Sequence, residues 1–329
     1  MTEFLILIVG FGVLLKGADL FVDGSSSIAL KLHISPLIVG LTLVAFGTSA
    51  PELVVNILAS SQGANSLAFG NVMGSNIANI ALVVGISAVF IPLVIHSVVV
   101  TREIPFMILS SLVLITLIFD QLFQGASRNV LSRSDGMILI FFFAIFIYYL
   151  FSNVLKDRGE KEFVKKEIRK DKIIKTKYLP NWKTILFFVV GMIMIVVGSQ
   201  LVVNSGIKLA ALFNVSEGFV GLTFIALGTS LPELVTSIAA VIKKETDIAV
   251  GNIVGSNIFN IFFVLGVTAI ISPLSFDTAL AQEMVLMVGI FVLFFIFSLN
   301  EKRINRFEGG VLLSLYFLYL GFIFYSEFL

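Results

Sequence analysis

The sequence contains no cysteine and only two histidines, His33 and His96, among its 329 residues. The absence of cysteine excludes disulfides, thiolate nucleophiles and zinc sites built on sulfur. Both histidines lie near the ends of apolar segments, and we interpret them as interfacial residues rather than metal ligands. The chain also lacks a His-Glu-x-x-His motif, so no catalytic constellation is evident and we do not expect an enzyme.

Charge is scarce as well. Charged residues make up 13% of the chain and hydrophobic residues 58%, whereas soluble domains are about 45–50% apolar. Mean hydropathy is +1.05, and apolar runs of about 20 residues recur, which is the length of a helix that crosses a bilayer. The short alternating strands of a membrane barrel are not seen. The composition therefore predicts an all-α integral membrane protein.

Ten candidate membrane spans result when the chain is cut at its polar, proline or glycine interruptions. They cover residues 3–28, 36–60, 66–91, 103–120, 135–152, 184–208, 217–242, 247–271, 281–299 and 308–326. The N-terminus lacks a basic segment and a cleavage site, so we interpret it as the first span rather than a signal peptide. The one long polar insertion, 153–183, separates a first half (1–152) from a second half (184–329), each with five spans.

The two halves are sequence repeats. Residues 40–54 (GLTLVAFGTSAPELV) match 221–235 (GLTFIALGTSLPELV) at 11 of 15 positions, and 70–80 (GNVMGSNIANI) match 251–261 (GNIVGSNIFNI) at 8 of 11. Both alignments use the same offset, 181 residues. Because each half has an odd number of spans, equivalent helices run in opposite directions, as in many secondary transporters. We predict ten transmembrane helices in two inverted five-helix repeats, with broken second, third, seventh and eighth helices.

Basic residues predict the orientation of the chain. Even without the 153–183 insertion, the loops of one side hold seven lysines and arginines and those of the other side hold three. Because cytoplasmic loops carry the excess of lysine and arginine, we expect both termini outside the cell membrane. The 153–183 insertion is then a charged cytoplasmic loop.

Polar clusters interrupt the second and third spans of each half. In the second span, Pro51 cannot donate a backbone hydrogen bond, which frees the carbonyl of Gly47 and disturbs Thr48. Thr48, Ser49 and Glu52 share nearly one face of a helix. The equivalent residues of the second half are Gly228, Thr229, Ser230, Pro232 and Glu233. The third spans contribute the following polar residues at the spacing of one helix turn: Ser75 and Asn79, and Ser256 and Asn260.

These clusters offer carboxylate, hydroxyl, amide and carbonyl oxygens, which are the ligands of Ca²⁺ or Na⁺. Soft metals do not fit, because sulfur and imidazole are absent. A buried carboxylate in a membrane span is costly and usually marks an ion pathway. Glu52 and Glu233 together carry two negative charges, which one Ca²⁺ or two monovalent cations would balance. The glycines of the third-span motifs, Gly70 with Gly74 and Gly251 with Gly255, have the spacing of helix-packing surfaces.

With these motifs, the sequence resembles the sodium/calcium exchanger family of the cation/calcium antiporter superfamily over essentially the whole chain, and its short central loop is similar to that of prokaryotic members. The resemblance implies a Ca²⁺ site formed by the carboxylates of Glu52 and Glu233 and the backbone carbonyls of Thr48 and Thr229. It implies flanking Na⁺ sites with these members: Ser49, Ser75 and the carbonyl of Ala45 on one side, and Ser230, Ser256 and the carbonyl of Ala226 on the other. The first and sixth spans would slide across this core.

One departure from the family concerns the centre of the site, where the resemblance places Asn79 and Asn260. Several relatives have an aspartate at one of these positions, so the present site lacks a third titratable charge and its stoichiometry stays open. Proton-coupled calcium exchangers have an acid near the positions of Gly74 and Gly255, which argues against proton coupling here.

The sequence thus predicts an antiporter that exchanges Ca²⁺ for Na⁺ across the membrane, with these ions as substrates and without a cofactor. The same scaffold coupled to H⁺ or K⁺ is an alternative, and a passive cation channel is another. The expected surroundings are the lipid bilayer, with neither nucleic acid nor an obligatory protein partner.

Overall fold

Helices form nearly all of the structure, a computed structural model that describes residues 2–159, 179–212 and 226–328. In chain order these are α1 (Thr2–Leu32), α2 (Pro36–Thr48), α3 (Ala50–Ser61), α4 (Asn65–Phe90), α5 (Val99–Ile118), α6 (Asp120–Gln124), α7 (Arg133–Gly159), α8 (Asn181–Leu212), α9 (Ala226–Ile242), α10 (Thr246–Ile271), α11 (Thr278–Leu299) and α12 (Arg306–Phe328). Between these helices, the described residues include the two-residue strands β1 (Leu93–Val94), β2 (Val130–Leu131), β3 (Leu274–Ser275) and β4 (Arg303–Ile304).

The helices agree with a protein that crosses a membrane many times. Among the described residues, eight helices are long and apolar enough to span a bilayer, and the bent pair α2–α3 makes a ninth. Helix α9 is shorter, with 17 residues, because the predicted seventh span begins at residues 217–225, which lie outside the described residues. Residues 160–178 of the predicted loop also lie outside them. The count of ten spans therefore stays a prediction.

The predicted helix breaks occur at one of four places in the described chain. Helices α2 and α3 meet at Ser49 with a bend of 42°. In contrast, α9 continues through Pro232. Helices α4 and α10 are also continuous, and each contains a π-helical turn, at Ala78–Val84 and Phe259–Leu265. The prediction of breaks in the third and eighth spans is wrong because one extra residue per turn relieves the irregularity without ending the helix.

Helices α1 and α8 approach each other unusually closely. A Cβ atom built on Gly191 would lie 2.5 Å from the backbone nitrogen of Phe21, and one built on Gly24 would lie 2.5 Å from that of Phe188. The rings of Phe21 and Phe188 then contact each other at a centroid distance of 4.9 Å. Small residues that let backbones touch are a common means of helix association in membranes. The two helices thus form a tightly packed pair.

A second close contact joins α2 to α10 through the glycines of the third-span motif. A Cβ atom on Gly251 would lie 2.6 Å from the carbonyl oxygen of Leu37, and one on Gly255 would lie 2.8 Å from the Cβ of Ala45. The predicted packing role is confirmed for these two glycines. For Gly70 the packing role stays a prediction, because the segment related by the repeat to the partner of Gly251, residues 218–222, lies outside the described residues.

Two small antiparallel ladders connect the halves of the chain. Strand β1 of the first half pairs with β4, with Leu93 opposite Ile304, and β3 of the second half pairs with β2, with Leu274 opposite Leu131. Leu93 and Leu274 are related by the same 181-residue offset as the motifs. Each pairing therefore joins one half to the other in an equivalent way.

Equivalent capping boxes begin α7 and α12. The Asp135 carboxylate accepts from the backbone nitrogen of Ser132 at 2.8 Å, and the Ser132 hydroxyl accepts from that of Asp135 at 3.3 Å. Glu308 and Asn305 make the same reciprocal bonds at 2.8 and 2.9 Å. Such caps satisfy donors that a helix start leaves free, and each contributes about 1 kcal/mol.

Candidate cation site

The predicted site residues of both halves meet in the interior of the helix bundle. Every one of them whose side chain is described is at most 8% exposed: Ala45, Thr48, Ser49, Glu52, Ser75, Asn79, Thr229, Ser230, Glu233, Ser256 and Asn260. Ala226 is the first residue of α9. Buried polar groups of this kind require partners or a ligand.

The break at Ser49 determines the surroundings of Glu52. Helix α3 begins immediately after Ser49 and places Glu52 in its first turn, with Pro51 also at the helix start. Proline suits this position because its missing N–H would have no helical partner there. The N-terminus of a helix carries a partial positive charge that stabilises a carboxylate. The fold thus compensates in part for burying Glu52.

A hydrogen bond across the halves links the two glutamate segments. The Ser49 hydroxyl donates to Oε1 of Glu233 at 3.1 Å. Ser49 lies three residues before Glu52, so Glu233 lies against the segment that carries the other glutamate. The two acids predicted to share a site are therefore brought together by the fold.

The third spans contribute amides that also cross between the halves. The Asn260 amide nitrogen donates to the Ser75 hydroxyl at 3.2 Å and to Oδ1 of Asn76 at 3.1 Å. Asn260 and Asn79 both lie in the π-helical turns of their helices. π-Turns inside α-helices are frequent at functional sites. Asn79 differs from Asn260, because neither its Nδ2 nor its Oδ1 has a partner among the described residues.

Several oxygens at this place have no hydrogen-bond partner. Within the described part of the chain, the buried candidate oxygens without a hydrogen bond are Glu52 Oε1 and Oε2, Glu233 Oε2, Asn79 Oδ1, Asn260 Oδ1 and Ser230 Oγ. Each unmade bond of a buried polar group costs about 1–3 kcal/mol. A hard cation coordinated by six to eight oxygens would satisfy such a set. The donor chemistry therefore fits Ca²⁺ or Na⁺.

The site does not rely on a cluster of acids. No group of three or more His, Asp or Glu side chains with metal-binding geometry occurs in residues 2–159, 179–212 and 226–328. Two further buried glutamates have other partners. Glu103 accepts from the Tyr149 hydroxyl at 2.8 Å, and Glu308 belongs to the capping box of α12. Within the described part of the chain, carboxylate charge at the centre is thus limited to Glu52 and Glu233.

Two asparagines of the third-span motif hold the site threonines, and the candidate set did not include them. The Thr48 hydroxyl donates to Oδ1 of Asn252 at 3.0 Å, and the Thr229 hydroxyl donates to Oδ1 of Asn71 at 2.9 Å. Each asparagine comes from the opposite half. The sequence did contain a signal, since Asn71 lies four residues before Ser75 and therefore on the same helix face.

Each of these asparagines is itself anchored by its amide nitrogen. Asn71 donates to Oδ1 of Asn56 at 2.8 Å, and Asn252 donates to the Ser237 hydroxyl at 3.0 Å. Positions 56 and 237 are equivalent in the repeat but hold different residues. The result is two equivalent chains of buried hydrogen bonds that reach outward from the site.

An ion-pair cluster lies at the contact between α1 and the C-terminal end of α9. Lys16 pairs with Asp19 at 2.8 Å, which confirms the predicted pairing. The sequence did not reveal the third and fourth members, Lys243 and Asp23. Lys243 contacts both Asp19 and Asp23, each at 2.6 Å. A cavity of about 230 Å³ between the same two helices is lined by Asp19 and Lys243 and otherwise by apolar side chains.

The comparisons with known proteins agree over nearly the whole chain. A model of the family described as "Sodium/calcium exchanger protein" matches residues 2–152 and 183–325. The inner membrane protein YrbG of Escherichia coli is 36% identical over 312 residues, which cover 94% of this chain and 92% of YrbG. The sodium/calcium exchanger MaX1 of Methanosarcina acetivorans is 33% identical over 348 residues, 98% of this chain and 99% of MaX1.

A solved structure has the same overall arrangement. The sodium-calcium exchanger NCX_Mj, in crystals soaked with 100 mM Na⁺ and 10 mM Sr²⁺, superimposes with a TM-score of 0.78. The match covers 97% of both chains at 27% sequence identity.

Proposed function

The chain belongs to the sodium/calcium exchanger protein family, and we propose that it is a secondary antiporter that exchanges Ca²⁺ for Na⁺ by alternating access. Membership makes it a multi-pass membrane transporter of cations and not an enzyme. The observation that carries the finer proposal is the buried pair Glu52 and Glu233, whose carboxylates retain three unpartnered oxygens among the described residues.

We assign the ion ligands as follows. Ca²⁺ is held by the carboxylates of Glu52 and Glu233 together with the backbone carbonyls of Thr48 and Thr229. The ligands of the flanking Na⁺ sites are Ser49, Ser75 and the Ala45 carbonyl on one side, and Ser230, Ser256 and the Ala226 carbonyl on the other. Asn79 and Asn260 lie at the centre.

Exchange follows from the charge of this site. Two carboxylates buried in a medium of low dielectric constant repel each other strongly unless cations lie between them. One Ca²⁺ or two Na⁺ neutralise the pair equally well. Because the Na⁺ sites flank the same two carboxylates, Ca²⁺ and Na⁺ compete to neutralise one pair of charges, and one must leave before the other binds. With neither ion bound, the two buried charges make the passage between the open states too costly. Coupled exchange is the result.

The architecture we propose has ten spans in two inverted repeats, residues 1–152 and 184–329, with a cytoplasmic loop at 153–183 and both termini outside the cell membrane. The reciprocal strand pairs, the equivalent capping boxes and the crossed Thr–Asn bonds support this division. An axis in the membrane plane would place the shared site at the midplane.

The moving part in this proposal is the pair α1 and α8. Their backbones are packed against each other through glycines, so they would move together as one body. By sliding across the helices that carry the glutamates, they would open the site first to one side and then to the other. The site residues themselves would shift little.

The experiment that tests the function is uptake of radioactive Ca²⁺ into proteoliposomes loaded with Na⁺, with Na⁺, K⁺ or pH gradients imposed in turn. We expect uptake only when Na⁺ is inside, and we expect uptake to depend on membrane voltage if charge is moved. Uptake that survives removal of internal Na⁺ but follows a K⁺ or pH gradient would support the alternative coupling ions. Uptake without any opposing gradient would instead indicate a channel.

A further inference from the structure

We propose that Asn252 is a positioning residue for Na⁺ binding: by accepting the Thr48 hydroxyl proton, it keeps the Ala45 carbonyl open to the ion. This inference rests on the proposed function, in which the Ala45 carbonyl is a Na⁺ ligand. Asn252 lies outside the assigned ligand set and acts through Thr48.

The Thr48 hydroxyl has one proton and several acceptors within reach. The carbonyl oxygens of Val44 and Ala45 lie 3.2 and 3.3 Å away, and Oδ1 of Asn252 lies nearest, at 3.0 Å. The Ser256 hydroxyl, at 3.4 Å, can donate to Thr48 in return. A single proton makes one strong bond, so donation to Asn252 withholds it from the two carbonyls of α2.

Asn252 is held in place by a second hydrogen bond. Its side chain is fully buried, and its amide nitrogen donates to the Ser237 hydroxyl at 3.0 Å. This second bond turns Oδ1 toward Thr48. Reversing the amide would make both hydroxyls exchange their donor and acceptor roles. Thr48 would then accept from Asn252 and keep its proton for the carbonyls of α2, so the observed orientation is the one that withholds this proton.

The Ala45 carbonyl has one acceptor position to offer. Its oxygen accepts from the backbone nitrogen of Ser49 at 3.0 Å, and a carbonyl oxygen has two lone pairs. A cation can use the second lone pair only if the Thr48 hydroxyl does not take it. Threonine hydroxyls inside helices readily bond back to carbonyls three or four residues earlier. Without Asn252, the Thr48 proton would therefore compete with Na⁺.

The test replaces Asn252 and measures the Na⁺ requirement separately from the Ca²⁺ requirement. In Asn252→Ala, we expect the half-saturating internal Na⁺ for Ca²⁺ uptake to rise about threefold to tenfold, the equivalent of one hydrogen bond. The half-saturating Ca²⁺ should change by less than about twofold, since Ca²⁺ uses the Thr48 carbonyl instead. The shift of the unfolding temperature by Na⁺ in detergent, without Ca²⁺, should weaken in parallel and gives a readout apart from transport.

Removing the competing hydroxyl should reverse the defect. In the double variant Thr48→Val with Asn252→Ala, no proton is left to occupy the Ala45 carbonyl. We therefore expect the half-saturating Na⁺ to return to within about twofold of the unmodified protein, a non-additive result that only a coupled pair gives. A purely structural role of Asn252 predicts the opposite, because the double variant would be at least as impaired as the single one.

Further variants guard against misfolding. Asn252→Leu keeps the volume without the acceptor and should reproduce Asn252→Ala. Ser237→Ala removes only the anchor and should raise the half-saturating Na⁺ by about twofold. The control is Asn257→Ala, since Asn257 is equally buried on the same helix but donates to its own backbone at Ile253; its Na⁺ requirement should not change.

The outcomes separate this inference from the proposed function. If the unmodified protein shows no Na⁺ dependence, the proposed function fails first. If it depends on Na⁺ while Asn252 and Ser237 variants keep the normal Na⁺ requirement, the exchanger stands and the role of Asn252 is refuted. A defect of Asn252→Ala that Thr48→Val does not repair would also overturn it, because the hydroxyl would then be a ligand rather than a competitor.

Discussion

The two halves of the molecule carry nearly the same motif but differ in backbone where it occurs. In the first half the Gly-Thr-Ser-x-Pro-Glu segment breaks the span at Ser49, whereas in the second half α9 runs through Pro232. Hydrogen bonding differs as well, because Ser49 donates to Glu233 while Ser230 and Glu52 have no side-chain partner among the described residues. Nearly identical residues therefore adopt two arrangements in one molecule.

Under the proposed mechanism, this inequality is what an inverted repeat requires. If both halves had the same conformation, the site would be equally open or equally closed toward the two sides of the membrane. Unequal halves favour one side, and an exchange of their conformations would favour the other. The comparison indicates that the motif encodes a segment with two accessible backbone states rather than one fixed shape.

The two halves also differ in the charge of the residues near their helix ends. Lys243, Asp19 and Asp23 form ion pairs between α1 and α9. The positions related to Lys243 and Asp19 by the repeat are Gln62 and Gln200, which carry no charge. The contact between α1 and the end of α9 is therefore ionic, and the related positions of the other half hold no charged pair.

The largest expected effect comes from the residues that the halves share. Glu52→Gln and Glu233→Gln should each abolish Ca²⁺ uptake driven by Na⁺, because one remaining carboxylate cannot neutralise Ca²⁺ and the amide places a donor where an oxygen ligand is needed. Initial uptake rates in Na⁺-loaded proteoliposomes measure this. If the two variants differed, with one retaining substantial exchange, the halves would be unequal in function as well as in shape.

A matched control for the glutamates is Glu103→Gln. Glu103 is also buried, but its partner is the Tyr149 hydroxyl, which can equally donate to an amide oxygen. Exchange should persist in this variant. Full activity of Glu52→Gln or Glu233→Gln would refute the site assignment, whereas loss in all three would indicate a general intolerance of buried changes.

A large effect is also expected at the contact between α1 and α8. In Gly191→Ala the new methyl group would meet the backbone of Phe21 at 2.5 Å, and forcing atoms into a packed contact costs about 1–3 kcal/mol. We expect a lower unfolding temperature and slower exchange. Gly12→Ala in α1 is the control, because no described atom lies within 4 Å of the added Cβ. Equal tolerance of both substitutions would contradict a close-packed mobile pair.

Much of the fold could be predicted because the apolar runs and their interruptions are explicit in the sequence. The predicted bounds of α2–α3, α4 and α10 agree with the structure within one residue. The pairing of Glu52 with Glu233 followed from duplication together with the cost of a lone buried carboxylate. These inferences needed only local periodicity and the equivalence of two segments.

The rest depended on tertiary contacts that local sequence does not specify. Pro51 and Pro232 stand in nearly the same local sequence, so nothing in it indicates that only the first would bend its span. Asn71 and Asn252 bond to the opposite half, and their partners become visible only when the halves are packed together.

A smaller effect is expected where the two hydrogen-bond chains differ. Asn56 accepts from Asn71, while the equivalent Ser237 accepts from Asn252. Asn56→Ser makes the two hydrogen-bond chains alike and removes an amide nitrogen that has no partner among the described residues. The free energy of unfolding should therefore stay within about 1 kcal/mol of that of the unmodified protein. Asn56→Leu leaves the Asn71 amide nitrogen without its acceptor and should lower the free energy of unfolding by about 1–3 kcal/mol. Thermal unfolding in detergent compares the two, and a serine variant as unstable as the leucine variant would disprove the equivalence.

The smallest effect is expected at the ion pairs of Lys243 with Asp19 and Asp23. The side chains of Asp19 and Asp23 are 42% and 46% exposed, and exposed pairs contribute only about 0–1 kcal/mol. Lys243→Gln should therefore barely change stability, yet it should favour opening between α1 and α9. Because the chain has no cysteine, a single Ala239→Cys in the adjoining cavity reports this opening. Its labelling by a membrane-impermeant thiol reagent should rise by up to about fivefold.

The control for the ion pairs is Lys208→Gln, which removes a different pair, between Lys208 and Glu3, whose lysine is 61% exposed against 23% for Lys243. That pair joins α1 to α8 rather than to α9, so the labelling of the Ala239→Cys reporter should not change. High salt should mimic Lys243→Gln, since it screens exposed charges. If Lys243→Gln left labelling unaltered in low salt, the ionic contact would not close this side. The inequality of the halves would then reside in the backbone at Ser49 and in the hydrogen bonds around the site.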